Sequence, residues 1–185
     1  RVGDRVKLPV NNLEKCGNVI TRSETRAQAV TAAERAIQQV FLRLAPAEQT
    51  TEDFLLGAER DPWTAYPGLQ EPFARRLTAL PEAVGQPAWA RRGPEGLAVL
   101  HPEGLGRERS RDWHALPLPA ALERVLALTR VKAVDAPHPG KLTLGRAFWN
   151  MLRRGGVQGA VYFIDTLLGG EEPELVLRRF RGGAS

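Results

Sequence analysis

The stretch from Gly17 to Leu44, GNVITRSETRAQAVTAAERAIQQVFLRL, constrains the fold most. It joins a short β-branched run to a capped helix and then to a second apolar run. Thr25 is a good helix N-cap. Gln28, three residues later, completes a capping box, in which each side chain bonds the other residue's backbone N–H. Ala29, Ala33, Ala36, Ile37 and Val40 then recur at helical spacing on one face, and small alanines let such a helix lie close to a sheet. Val6–Val10 and Gly17–Thr21 read as short strands, with Asn11-Asn12 tolerating the left-handed backbone of a turn between them. Phe41-Leu42-Arg43-Leu44 reads as a further strand, ended by Pro46. The expected class is α+β.

Charge and proline content divide the chain into three expected parts. Residues 1–45 carry eight basic and four acidic residues, and residues 113–185 carry ten and six. Between them, residues 46–112 carry eight basic and eleven acidic residues and eight of the fourteen prolines, so this stretch reads as a Pro-rich connector between two structured ends. Within it, Glu52–Leu56 reads as a helical turn, Pro72–Leu80 as a short helix and Leu97–Leu100 as a strand. Asp61-Pro62-Trp63 and Tyr66-Pro67-Gly68 read as turns with aromatic anchors. Arg107–Arg111 reads as a charged, exposed segment.

The final third is expected to be mostly helical. Pro119 suits the first turn of a helix, and Ala121, Leu122, Val125, Leu126 and Thr129 give that helix an apolar face. Val131–Val134 reads as a strand. Leu144–Arg154 reads as a helix with Phe148, Met151 and Leu152 on one side, and with Gly155-Gly156 as its C-cap. Val157, Val161, Ile164 and Leu168 are four, three and four apart, which favours a second helix over a strand. Glu174–Phe180 reads as a final strand or a loose tail.

Composition narrows the function classes. Hydrophobic residues make up 43% of the chain and charged residues 25%, a globular balance that excludes disorder of the whole. The one cysteine, Cys16, cannot form an internal disulfide, which fits a reducing, cytoplasmic setting. His101, His114 and His138 are scattered without zinc-ligand spacing, and no metal ligands are expected. The most apolar stretch, Val157–Leu168, is too short for the roughly 20 residues that span a bilayer, so no membrane partner is expected. Net charge is +5, with 22 arginines against four lysines. No nucleic-acid motif accompanies that charge and no basic run is interleaved with aromatics, so nucleic acid is not expected as a partner.

The hairpin, alanine-faced helix and strand of residues 1–45 resemble the last structural unit of ATP-grasp ligase domains. In that family a strand like Gly17-Asn18-Val19-Ile20, and a helix like that from Thr25 through Ala33, follow the Glu and Asn that hold magnesium. The resemblance implies a parent enzyme that uses ATP and magnesium to join a carboxylate to an amine or similar nucleophile through an acyl phosphate. It places the catalytic core upstream of these residues, and the chain, which starts at Arg1, is then the C-terminal part of something longer. No stretch here matches the family's metal-binding pair. Asn11, Asn12 and Glu14 lie close together but read as a turn. Lys15 and Arg22 are the candidates to reach a phosphate, and as residues they also read as exposed charges on a strand edge. ATP and magnesium are expected in the parent enzyme, with no cofactor held by this chain alone and its catalytic residues unknown.

Outside that segment the chemistry is sparse. Asp112-Trp113-His114 combines a carboxylate, an indole and an imidazole, and reads as a small polar site or as an anchor in which Trp113 holds the connector to the core. Asp165, inside an apolar helix, needs a partner, for which Arg153 and Arg154 are the nearest choices in sequence. Gly155-Gly156 and Gly169-Gly170 lack the context of phosphate loops and read as helix ends. The partners expected are an upstream ATP-grasp region, another protein, or a second copy of the chain. The alternative function is a stand-alone interaction or regulatory module without catalysis.

Overall fold

The computed structural model describes residues 17–56, 64–85 and 93–180. These fall into two units, one within residues 1–41 and one spanning 42–185.

In the first unit the described structure is one helix, α1 (Arg26–Gln39). Its start follows from the sequence: the Gln28 N–H donates to Thr25 Oγ1 at 3.3 Å, and the Thr25 N–H donates to Gln28 Oε1 at 3.2 Å. A cap of this kind stabilises a helix by about 1 kcal/mol. The Thr21 hydroxyl donates to the Ala29 carbonyl at 2.7 Å, folding the lead-in back along the first turns. The alanine stripe keeps its expected period, yet no residue of α1 is buried, and Ile37 and Val40 are exposed. Gly17–Thr21 is irregular rather than a strand, and so is Phe41–Leu44. Leu42 already belongs to the second unit, where its carbonyl accepts from Gln158 Nε2 at 3.2 Å, a side chain instead of a ladder. Val6–Val10 and the Asn11-Asn12 turn lie outside the described residues.

The second unit is α+β. Its helices are α2 (Gln49–Leu56), α3 (Glu71–Ala79), α4 (Leu118–Thr129), α5 (Arg146–Leu168) and α6 (Pro173–Phe180). Its strands are β1 (Ala83–Val84), β2 (Leu97–Leu100), β3 (Lys132–Val134) and β4 (Leu142–Leu144). They form one sheet in the order β1-β4-β2-β3, in which β2 runs parallel to both β3 and β4, and β1 is antiparallel to β4. Every residue of β2 is buried, as an unbroken apolar run in a central parallel strand requires. The β2–β3 crossover is α4. Residues 135–141 make the β3–β4 crossover. Seven extended residues reach roughly 23 Å, enough to cross two strand spacings, about 10 Å, and to return about 10 Å along the strands from the end of β3 to the start of β4.

The stretch expected as a connector therefore supplies α2, α3, β1 and the central strand. Its prolines punctuate elements rather than prevent them: Pro72 sits in the first turn of α3, and Pro67-Gly68 forms a turn beside the buried Tyr66. Asp61-Pro62-Trp63 lies outside the described residues.

The core is built on α5. Phe148, Trp149, Leu152, Tyr162, Phe163 and Ile164 are each 1% exposed or less. The Trp149 indole donates to the Leu100 carbonyl at 2.8 Å, so its buried N–H is satisfied at the end of β2. The expected start at Leu144 is displaced, because Leu144 ends β4 and the helix begins at Arg146. The expected stop at Gly155-Gly156 is a break within α5: Gly156 adopts φ 60° and ψ −151°, a conformation open to glycine, and helix resumes to Leu168. The second half is helical, as its spacing predicts. Glu174–Phe180 is neither strand nor tail but most of α6. Val176, Leu177 and Phe180 bury one face of that helix, and the Phe180 ring packs 5.1 Å from Phe163 and 6.1 Å from Tyr162.

Candidate functional site

Ligands of open parallel sheets settle outside the carboxyl ends of the strands. At that edge, His101 directly follows β2, and its N–H donates to the Val134 carbonyl at 2.7 Å. This extends the β2–β3 ladder by one bond and brings His101 Nδ1 to 4.0 Å from Asp135 Oδ1, just past β3. The pair is open to solvent, with Asp135 almost fully exposed. The two form an ion pair only when His101 is protonated. The start of α5 follows β4 at the same edge, but it is closed off: the Gly145 and Arg146 N–H groups donate to the carbonyls of Glu82 and Pro81, both at 2.8 Å. His138 is bonded to the strand that follows it, its N–H donating to Thr143 Oγ1 of β4 at 3.1 Å.

A second cluster joins α2, α5 and α6. The Tyr162 hydroxyl accepts from the Glu48 N–H at 2.8 Å and lies 3.2 Å from both the Glu48 carbonyl and Glu52 Oε1. Glu52 is 5% exposed, and its other oxygen is 3.5 Å from Arg179 Nε. Arg179 also reaches Glu171 at 2.8 Å. Burial, with the Glu52 carboxylate beside it, pushes the Tyr162 phenol up to about 12. The phenol is thus neutral at physiological pH and fastens three helices, a structural task rather than proton abstraction.

A third cluster surrounds the break in α5. The Ala65 and Tyr66 N–H groups donate to the Arg154 and Arg153 carbonyls at 2.9 and 3.2 Å, capping the first half of the helix. The Tyr66 hydroxyl is buried without a hydrogen-bond partner among the described residues, and burial, then the charge of Asp112, raises its pKa. Asp112 Oδ1 accepts from the His114 and Leu116 N–H groups at 2.9 and 2.8 Å. Asp112 therefore shapes a turn. Trp113 is 53% exposed and so does not anchor this stretch to the core, contrary to expectation.

Of the two phosphate candidates, only Arg22 lies among the described residues. Arg22 is exposed in the lead-in to α1, and Lys15, with Asn11, Asn12, Glu14 and Cys16, lies outside the described residues. An open depression on α1 is lined by Ala27, Gln28, Thr31, Ala32 and Arg35, one face of one helix, which cannot enclose a small molecule. Asp165 is paired, but by Arg43 and not by Arg153 or Arg154. Arg154 instead donates to the Leu55 carbonyl at 2.9 Å, while Arg153 Nε is buried with no hydrogen-bond partner among the described residues. Sequence reasoning missed Tyr66, Tyr162 and Glu52 as cluster members. The available signal was a hydroxyl or a carboxylate at a position otherwise spaced as core. Among the described residues, no three His, Cys, Asp or Glu side chains are placed to share a metal ion, and no helix is long and apolar enough to cross a membrane.

Residues 1–45 match the family model described as L-amino acid ligase C-terminal domain 2. This supports an ATP-grasp-related ligase C-terminal segment over that quarter of the chain. No curated protein and no solved structure matches the chain.

Proposed function

We propose that this chain belongs to an ATP- and magnesium-dependent ligase that joins a carboxylate to an amine or similar nucleophile through an acyl phosphate. Its own residues serve as scaffold and contact surface. The observation that carries this reading is the ligase-family match over residues 1–45. The unburied alanine stripe of α1 supports it, since a capped amphipathic helix with an open face is suited to lie against further protein. Among the described residues no three His, Cys, Asp or Glu side chains are placed to share a metal ion. On this reading the nucleotide and metal are held by an ATP-grasp region upstream or on a partner chain, or in an assembly with further copies. The lone Cys16 fits a cytoplasmic setting for such an enzyme.

The test uses the native gene product, purified from its source, with its intact mass measured. Phosphate release from ATP is followed against a panel of amino acids supplied as carboxylate and as amine. The expected result is release that needs magnesium and both substrates, from a product heavier than 20.4 kDa, and none from the 185-residue chain alone. A product of 20.4 kDa without ATP turnover overturns the ligase reading and leaves a stand-alone interaction module.

A further inference from the structure

We propose that the strip Arg107–Trp113 is a docking surface for single-stranded nucleic acid. In sequence the run RERSRDW is a mixture of charges. The backbone sorts it. Glu108 is extended after the 3-10 turn Leu105–Arg107, and exposure alternates along the strip: Arg107, Arg109 and Arg111 are exposed, while Glu108 is 5% exposed and Ser110 is half-buried. Glu108 accepts from the Ser110 N–H at 2.7 Å and from the Ser110 hydroxyl, which holds its carboxylate off the surface. The outer face of the strip is therefore cationic although its composition is mixed.

The strip is also pre-shaped. The Leu118 N–H donates to the Ser110 carbonyl at 3.3 Å, and Arg111 bridges to Pro117, pinning the strip to the start of α4. Arg111 Nη1 donates to the Ala115 carbonyl at 2.8 Å, which steadies the turn carrying Trp113. Ala115 holds a positive φ of 60°, and the Asp112 carboxylate closes the turn beneath it. An indole 53% exposed is thus presented from a fixed turn rather than from a loose loop. The Arg107 and Arg109 side chains engage no hydrogen bond or ion pair among the described residues, while the Arg107 N–H donates to the Gly104 carbonyl at 3.0 Å. Arg76 Nη1 lies 3.4 Å from the Glu103 carbonyl and adds a cation beside the strip. Glu103 itself is an exposed acid there.

On an extended chain Arg109 and Arg111, two residues apart, stand roughly 6.6 Å apart, and each arginine of the strip presents a fork that matches a phosphate. A rigid exposed indole offers a face on which a base stacks. An acidic peptide would satisfy the arginines but give the indole no task, so the combination favours a phosphate backbone with unstacked bases.

The experiment measures fluorescence anisotropy of a short labelled oligouridine with the full chain, from about 50 to about 200 mM salt. Binding is expected at the low end, with a log–log salt slope of about −2 if three phosphates are neutralised. The Arg107→Ala, Arg109→Ala double variant should weaken binding and make that slope shallower by roughly 1.4. Trp113→Ala should weaken binding roughly fivefold or more without changing the slope, and Trp113→Phe should retain most of it. Circular dichroism checks folding, and if Trp113→Ala fails to fold, the arginine double variant and Trp113→Phe decide the matter. Three results overturn the proposal: no binding at low salt, binding indifferent to all these variants, or polyglutamate competing as well as oligouridine with Trp113 immaterial. The last would assign the strip to an acidic polypeptide.

Discussion

Arg43 holds Asp165 through both oxygens of its carboxylate: Nε donates to Oδ2 at 2.6 Å and Nη2 to Oδ1 at 2.5 Å, across 122 positions of sequence. Asp165 lies in the second half of α5 with its side chain 11% exposed, whereas Arg43 is 55% exposed. The carboxylate is the buried partner, and the arginine reaches it from solvent. The bond to Asp165 raises the Arg43 pKa, with burial opposing it in part.

Removing Arg43 leaves that carboxylate shielded from water and unpaired. Arg43→Ala is expected to destabilise the chain by about 1–2 kcal/mol, between the range for surface pairs and that for charged hydrogen bonds. In an Asp165→Leu background the same substitution should cost much less. Urea midpoints of the four proteins in that cycle measure the coupling. A coupling near zero would mean that the pair contributes nothing beyond its geometry.

Both tyrosines of the chain, Tyr66 and Tyr162, have phenols pushed above the usual value, chiefly by burial. A group whose neutral form the fold favours contributes stability that is fully present below its unfolded pKa, near 10. That contribution is lost as pH rises from there through the folded value, about 12 for Tyr162. Phenolate absorbance is therefore expected to stay low at about pH 10 in the folded chain and to be half developed there in denaturant. Tyr162→Phe should flatten part of the alkaline loss of stability. Phenolate forming near pH 10 in folded protein would contradict the burial of both rings.

Gly156 is the one residue of α5 outside helical geometry, at φ 60° and ψ −151°. A Cβ there would meet Ala65 Cβ at 3.5 Å and Asp112 Oδ2 at 3.6 Å, so space is adequate and the obstacle is the backbone. Gly156→Ala is expected to destabilise by about 1–3 kcal/mol. The control is Gly106→Ala, where a Cβ meets nothing within 4 Å. Thermal unfolding of the two variants separates strain from ordinary substitution. Equal midpoints would show that α5 can straighten through the break at no cost.

Much of the local structure was legible before any coordinates. Thr25 and Gln28 form their capping box because both partners lie within one turn. Pro72 and Pro119 mark helix starts for the same local reason: their missing N–H is not needed there. The failures have one cause. β4 is three residues long, and its last residue, Leu144, reads in sequence as the start of a helix, since its identity as a strand depends on β2 and β1 lying beside it. α6 was read as strand or tail, and its face becomes meaningful only once Phe163 and Tyr162 are there to receive Phe180. Arg153 and Arg154 looked like partners for Asp165 because they are near in sequence, yet the break at Gly156 turns their carbonyls to Ala65 and Tyr66, and Arg43 arrives from far away.

By itself, the sequence determined what a few neighbouring residues can settle: the α+β class, the capped α1, the helical faces of α4 and α5, the turn at Tyr66-Pro67-Gly68, and a family resemblance confined to residues 1–45. The tertiary structure alone decided which strand is central, which cation meets the buried carboxylate, and which charges of RERSRDW reach the surface. Those outcomes depend on contacts between distant residues, and their energies exist only after the chain has closed the loops that bring the partners together.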